Sequence, residues 1–162
     1  MNAPAASPDW THDLRSRLDE LLDEHRAMLH DSLDGLTESE ARSSLVPSRT
    51  TLLGLVKHVT YVENVWFNQA LTGRTLRELS APSTPDKSFI LRETDTIESV
   101  QAAYSAACTE SRRLVAELTL DEEVTGRGRR ALWAIYTHML GELAQHCGHA
   151  DILREQVLAA RD

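Results

Sequence analysis

The chain has 162 residues, 41% of them apolar and 26% charged, which suits one domain around a single core. A net charge of −8 argues against nucleic acid as a partner, and no apolar run approaches the length of a membrane span. The opening MNAPAASPD has neither the basic nor the apolar region of a secretion signal. Cys108 and Cys147 match no disulfide or redox spacing, so both are expected as free, non-catalytic thiols in a reducing cytoplasm.

Residues 1–8 read as a flexible N-terminus and residues 9–160 as one domain. Ser7-Pro8-Asp9 offers an N-cap with proline at the first helical position. From there Trp10, Leu14, Leu18, Leu21, Leu22, Met28, Leu29 and Leu33 recur at helical spacing until Asp34-Gly35. The stretch TESE at 37–40 has the form of a capping box and predicts a short helical turn. A second long helix is expected from Thr50 or Thr51 to Gly73, with Leu52, Leu55, Val59, Val62, Trp66 and Leu71 on its buried stripe. Residues 74–94, with Pro82 and Pro85, read as a long connection.

Asp95-x-x-Glu98 is a weaker capping box for a third helix carrying Ile97, Val100, Tyr104, Cys108, Leu114, Val115 and Leu118. A fourth helix over about 131–159 has the stripe Leu132, Ile135, Tyr136, Met139, Leu143, Ala150, Leu153 and Val157. Between them the basic run RGRR at 127–130 reads first as a solvated loop, and second as an anion-binding lip at a helix N-terminus. Four long amphipathic helices make an all-α bundle, and bundles build their sites from inward side chains on facing helices.

The fourth helix places His138, Glu142, His146 and His149 at steps of four, four and three. Residues four apart are neighbours on a helix, so Glu142 and His146 can point at one ion. His58, between Leu55 and Val62 on the second helix, faces inward and offers a third ligand. Two imidazoles and a carboxylate leave positions open, as in catalytic zinc or facial-triad iron sites. The same spacing also fits a core histidine and a helix-surface ion pair, and spacing alone does not separate the two readings. His138 and His149 flank the pair and are expected to steady it, or simply to pack. His25 is a candidate for a pocket mouth. Cys147 points about 100° away from His146.

The order GLTESEAR, LVPSRTTLLGLVKHVTYVENVWF, HMLGELAQHCGHADILRE resembles the DinB-like superfamily, in the branch of mycothiol S-transferases and mycothiol-dependent maleylpyruvate isomerase domains. The resemblance runs from about Leu18 to Glu155. It rests on Gly35-Leu36, Leu-Gly-Leu-x-x-His ending at His58, Val62-Glu63, Trp66-Phe67 and His146-x-Gly-His149-Ala-Asp151. It implies an up-down-down-up four-helix bundle with a divalent metal, zinc the expected ion, bound by His58, Glu142 and His146. Many DinB-like proteins have a histidine where Glu142 stands, and the His/Glu/His set resembles the thiol-dependent branch.

The reading that follows is a metal-dependent transferase that joins a low-molecular-weight thiol such as mycothiol to an electrophilic small molecule. Leu55, Val62 and Trp66 are expected to wall the pocket, with Arg26, Arg154 and Arg129 available for polar groups of the thiol. The alternatives are a metal-dependent hydrolase and a non-catalytic, stress-related metal-binding bundle. The hydrolase needs a general base, which Glu142 cannot be while it is a ligand, and Glu63 lies roughly 140° around the helix from His58. A homodimer is compatible with each reading.

Overall fold

The computed structural model describes residues 13–161. The start expected at Ser7-Pro8-Asp9, and Trp10 with it, lies outside the described residues. Within them the first helix, α1 (Leu14–Asp31), is capped by Asp13, whose carboxylate accepts from the Ser16 amide at 3.0 Å. Its buried row is Leu18, Leu22, Arg26, Leu29 and then Leu33, a straight face at steps of four, four, three and four. Leu14 and Met28, expected on that stripe, lie off it and are 64% and 49% exposed.

The short helix α2 (Glu38–Ala41) carries the capping box between Thr37 and Glu40 that the sequence suggests. Helix α3 (Leu52–Glu63) starts at Thr51, which caps Gly54, and runs on through a π-helical segment, Asn64–Gln69, into α4 (Ala70–Thr72). It stops at Gly73, whose φ of 72° is the left-handed conformation that glycine adopts without strain. The wider π turn shifts the register that a 3.6-residue period predicts. Val65, Phe67, Asn68 and Ala70 are buried there, while Trp66 and Leu71, expected in the stripe, are only half-buried.

The connection contains a one-turn helix, α5 (Pro85–Ser88), with Thr84 as cap and Pro85 in its first turn. Helix α6 (Ile97–Val115) is capped by Thr96 and Ser99, not by Asp95 and Glu98. The Asp95 carboxylate is engaged elsewhere, by Lys57 Nζ at 2.6 Å and the Arg92 amide at 2.7 Å. Ser111 joins Val100, Tyr104, Cys108 and Val115 on the buried face, whereas Leu118 lies past the helix end. A two-stranded antiparallel ribbon, β1 (Glu123–Val124) with β2 (Arg130–Ala131), stands where the sequence suggested only a loop. Helix α7 (Leu132–Ala159) follows, and its expected stripe is buried throughout.

Side-chain contacts set the direction of each helix. Along α1 and α7, Asp19 meets Tyr136, His25 meets Cys147 and Ser32 meets Arg154, so these helices are parallel. Lys57 with Asp95 and Glu63 with Ser111 make α3 and α6 parallel. Arg15 with Val115 and His30 with Gln101 set α1 against α6; His58 with His146 and Phe67 with Tyr136 set α3 against α7. The result is an all-α, up-down-down-up four-helix bundle. A chain leaving the end of α3 must travel back to start the parallel α6, which is why the connection is long. Among the described residues no helix is long and apolar enough to cross a membrane.

Candidate metal centre

The site begins with a close approach. At Gly54 a Cβ would lie 3.1 Å from the Phe89 carbonyl oxygen and 3.0 Å from Thr51 Oγ1, so the glycine lets the crossover press onto α3 one turn before His58. Phe89 then stacks on His58, ring centroids 4.1 Å apart and planes within 13°. Ser88, fully buried at the end of α5, brings Oγ to 2.7 Å from His58 Nδ1, and its hydroxyl donates to the Pro85 carbonyl. A hydroxyl has one proton; with that proton on Pro85, Ser88 Oγ accepts from His58 Nδ1–H. The tautomer that remains carries its lone pair on Nε2.

Helix α7 supplies the facing groups. Donor atoms of His58, Glu142 and His146 all lie within 4.8 Å of one another. His146 Nε2 is 3.5 Å from one Glu142 oxygen and His138 Nε2 is 3.6 Å from the other. His58 and His146 meet edge to face at 4.8 Å. Burial first, and then the neighbouring His146, push the His58 pKa down to about 4. Burial also lowers that of His146, against the opposing pull of Glu142. Both imidazoles are therefore neutral near pH 7, the form that binds a cation.

Three buried side-chain atoms have no hydrogen-bond partner among the described residues, and two of them are imidazole nitrogens of this cluster: His138 Nε2, 3.6 Å from Glu142, and His146 Nδ1, on a ring whose other nitrogen approaches that carboxylate. A buried unpaired polar atom costs roughly 1–3 kcal/mol. Imidazole nitrogens left unanswered in one cluster with a carboxylate suit a divalent cation. Two imidazole nitrogens and one carboxylate oxygen suit zinc and its first-row neighbours, and three protein ligands leave positions open for a substrate.

The remaining site candidates are placed as follows. His149 is exposed, its ring 5.6 Å from that of His146. Trp66 lies on His138, centroids 3.8 Å apart. Leu55 and Val62 are buried in the core. The Arg26 guanidinium grips Glu63 through two bonds of 2.8 and 2.9 Å. Arg154 donates to the carbonyls of Ser32 and Asp34, and Arg129 pairs with Glu123. His25 Nδ1 lies 2.6 Å from its own helix carbonyl at Leu21.

Sequence reasoning missed Ser88 and Phe89, because the connection that carries them has no periodicity. It also missed a cavity of about 280 Å³ lined by Val46, Ser48, Thr50, Ile152, Leu153 and the same His149 whose ring neighbours His146. It named Arg26 and Glu63 separately but did not join them. Their inward spacing was a usable signal, since Arg26 stands four residues after Leu22 on the α1 stripe.

An up-down-down-up bundle with an inward His/Glu/His cluster between its second and fourth long helices is DinB-like. A sequence model of the Mycothiol-S-transferase family matches residues 17–159, and the chain belongs to that family. No curated protein matches it.

Proposed function

We propose that the protein is a divalent-metal-dependent thiol S-transferase that joins a low-molecular-weight thiol, mycothiol or a close analogue, to an electrophilic small molecule. The observation that carries this reading is the convergence of His58, Glu142 and His146 within 4.8 Å in a member of this family. A divalent ion held by these three side chains, zinc by the mixture of nitrogen, oxygen and incoming sulfur, supplies the charge that keeps a thiol deprotonated at neutral pH.

The chain's own residues do the rest. Ser88 holds the His58 ring in the tautomer with Nε2 free, and His138 leans on the far oxygen of Glu142. Such supporting contacts fix ligand orientation. The protein offers no competing sulfur nucleophile. Burial, followed by the charge of Glu63, raises the Cys108 thiol to about 12; burial, followed by Asp151, raises Cys147 to about 11. A thiol that stays protonated is a poor nucleophile. The sulfur therefore arrives as a cosubstrate, and the cavity beside His149 offers an apolar wall for one of the two reactants.

The test is conjugation of a chromogenic electrophile with mycothiol, bacillithiol and glutathione, using metal-loaded and metal-stripped protein. Metal-dependent turnover is expected with at least one thiol and is lost in His58→Ala. The reading fails if no thiol gives metal-dependent turnover above the uncatalysed rate while an ester or amide is hydrolysed.

A further inference from the structure

The basic run has a defined place. Its ribbon is clamped by Gly126, whose amide donates to the Ala70 carbonyl at 2.9 Å. A Cβ at Gly126 would lie 2.4 Å from Gln69 O, 2.5 Å from Gly73 N and 2.7 Å from Ala70 O, so only glycine permits this docking on the end of α4. The amides of Leu132 and Trp133 donate to the carbonyls of Glu122 and Leu120 at 2.8 and 2.9 Å. These backbone contacts fix the ribbon without using a side chain of the basic run. They also occupy the first amides of α7, so the helix-terminus anion site that the sequence suggested is closed there.

What the docking achieves is a stack. The guanidinium carbons of Arg127 and Arg130 lie 4.6 and 5.2 Å from the Trp66 ring centroid. Trp66 rests on His138, which stands 3.6 Å from Glu142. Arg130 is held by the carbonyls of Gly128 and Arg127, whereas Arg127 is exposed and makes no side-chain hydrogen bond or ion pair among the described residues. Arg129 alone of the three arginines reaches a carboxylate, Glu123. In a chain of net charge −8, two like charges share one aromatic ring with no carboxylate against either. Guanidinium forks on an aromatic shelf recognise planar anions through paired N–H bonds.

We propose that Arg127 and Arg130, stacked on Trp66 beside the His138–Glu142 end of the cluster, form an anion subsite that takes a carboxylate of one of the two reactants. Its link to turnover rests on the transferase reading; its binding of an anion does not.

Two measurements separate these. In the first, metal-loaded protein transfers one thiol to 4-chloro-3-nitrobenzoate or to its methyl ester. The C–S bond forms, chloride leaves with the C–Cl electron pair, and the thiol proton passes to solvent. Each rate is divided by its uncatalysed rate. Arg127→Gln should lower the carboxylate-to-ester ratio of kcat/KM by roughly 10- to 100-fold, the worth of a charged hydrogen-bonded contact. Repeating the comparison with glutathione and its diethyl ester shows whether the anion belongs to the thiol; a fall of the same size on either arm supports the subsite. In the second, calorimetry follows unreactive 3-nitrobenzoate and its methyl ester binding to wild type and Arg127→Gln. Anion-selective binding lost in the variant supports the subsite even where no turnover occurs, in which case the transferase reading alone falls. No fall in the charge selectivity of Arg127→Gln on either arm, together with nitrobenzoate binding equal in both proteins, overturns the subsite.

Discussion

Two buried polar clusters lie within five residues of each other on α3, and they are built in opposite ways. At Glu63 the carboxylate is fully buried and fully answered, by two bonds from Arg26 across the bundle and by Ser111 Oγ at 2.7 Å from α6. Burial alone would lower the Arg26 pKa, but Glu63 carries it up, so the guanidinium stays charged. At His58 the facing groups are the His146 imidazole and the half-buried Glu142 carboxylate, and His146 Nδ1 has no hydrogen-bond partner. The first cluster is closed by opposite charge and needs nothing from outside. The second converges without such a match. A buried charge that is matched within the chain contributes to the fold, whereas donors that converge without a match mark a place for a ligand.

Breaking the closed cluster should have the largest effect. Glu63→Gln leaves the buried Arg26 guanidinium only the half-exposed Asp23 carboxylate, 2.9 Å from Nη1, as counter-charge, a loss of about 3 kcal/mol, the lower end of the cost of breaking a buried pair. In a chain of this size that lowers the melting temperature by about 10 °C, measurable by circular dichroism. A melting point unchanged within error would show that the pair is not the closed unit described. Metal content per folded molecule should be unchanged in this variant.

His58→Ala should separate the clusters in the opposite sense. Stoichiometric metal, measured by mass spectrometry on protein made without nickel affinity steps, should be lost while the helical spectrum is kept. Full retention of metal would remove His58 from the ligand set. The supporting residues come next. Ser88→Ala and His138→Ala should each weaken metal affinity by about 10–100-fold. A competition titration with a chromophoric chelator reads this directly, and wild-type affinity in both variants would deny them a supporting role.

The smallest effect concerns the cysteines, which border the closed cluster at Cys108 and the parallel α1–α7 seam at Cys147. Both thiols are free and buried. Their folded pKa values stand above the unfolded one, so their contribution is fully present below about pH 8.5 and is lost as pH rises through about 11 to 12. Urea unfolding at pH 8 and pH 10.5 should show a smaller pH loss in Cys108→Ala than in wild type. An equal loss in both would place the titration elsewhere. Native protein should alkylate slowly at both thiols, and unfolded protein promptly at two.

Local spacing made much of this molecule legible. The Thr37–Glu40 box, the Thr51 cap, the Gly73 stop and the α7 stripe each involve residues within a turn or two, where a 3.6-residue period and one hydrogen bond decide the outcome. The neighbourly pair Glu142 and His146 was readable for the same reason. Asp95 shows how such a signal fails: a plausible cap was drawn away by Lys57, 38 residues distant.

The chain's pattern by itself determined four amphipathic helices, the Thr51 cap and Gly73 stop of the second, and an ionisable row set against the core of the last one. Only the tertiary structure decided what meets that row. Ser88 comes to His58 across 30 residues, Arg26 to Glu63 across 37, and the 127–130 run to Trp66 across a docked ribbon. The π turn at Asn64–Gln69 decides that Trp66 faces His138 and Phe67 the core. These pairings follow from how helices fill space against one another, and a close approach such as Gly126 on Ala70 is allowed or refused by fractions of an ångström that no local period encodes.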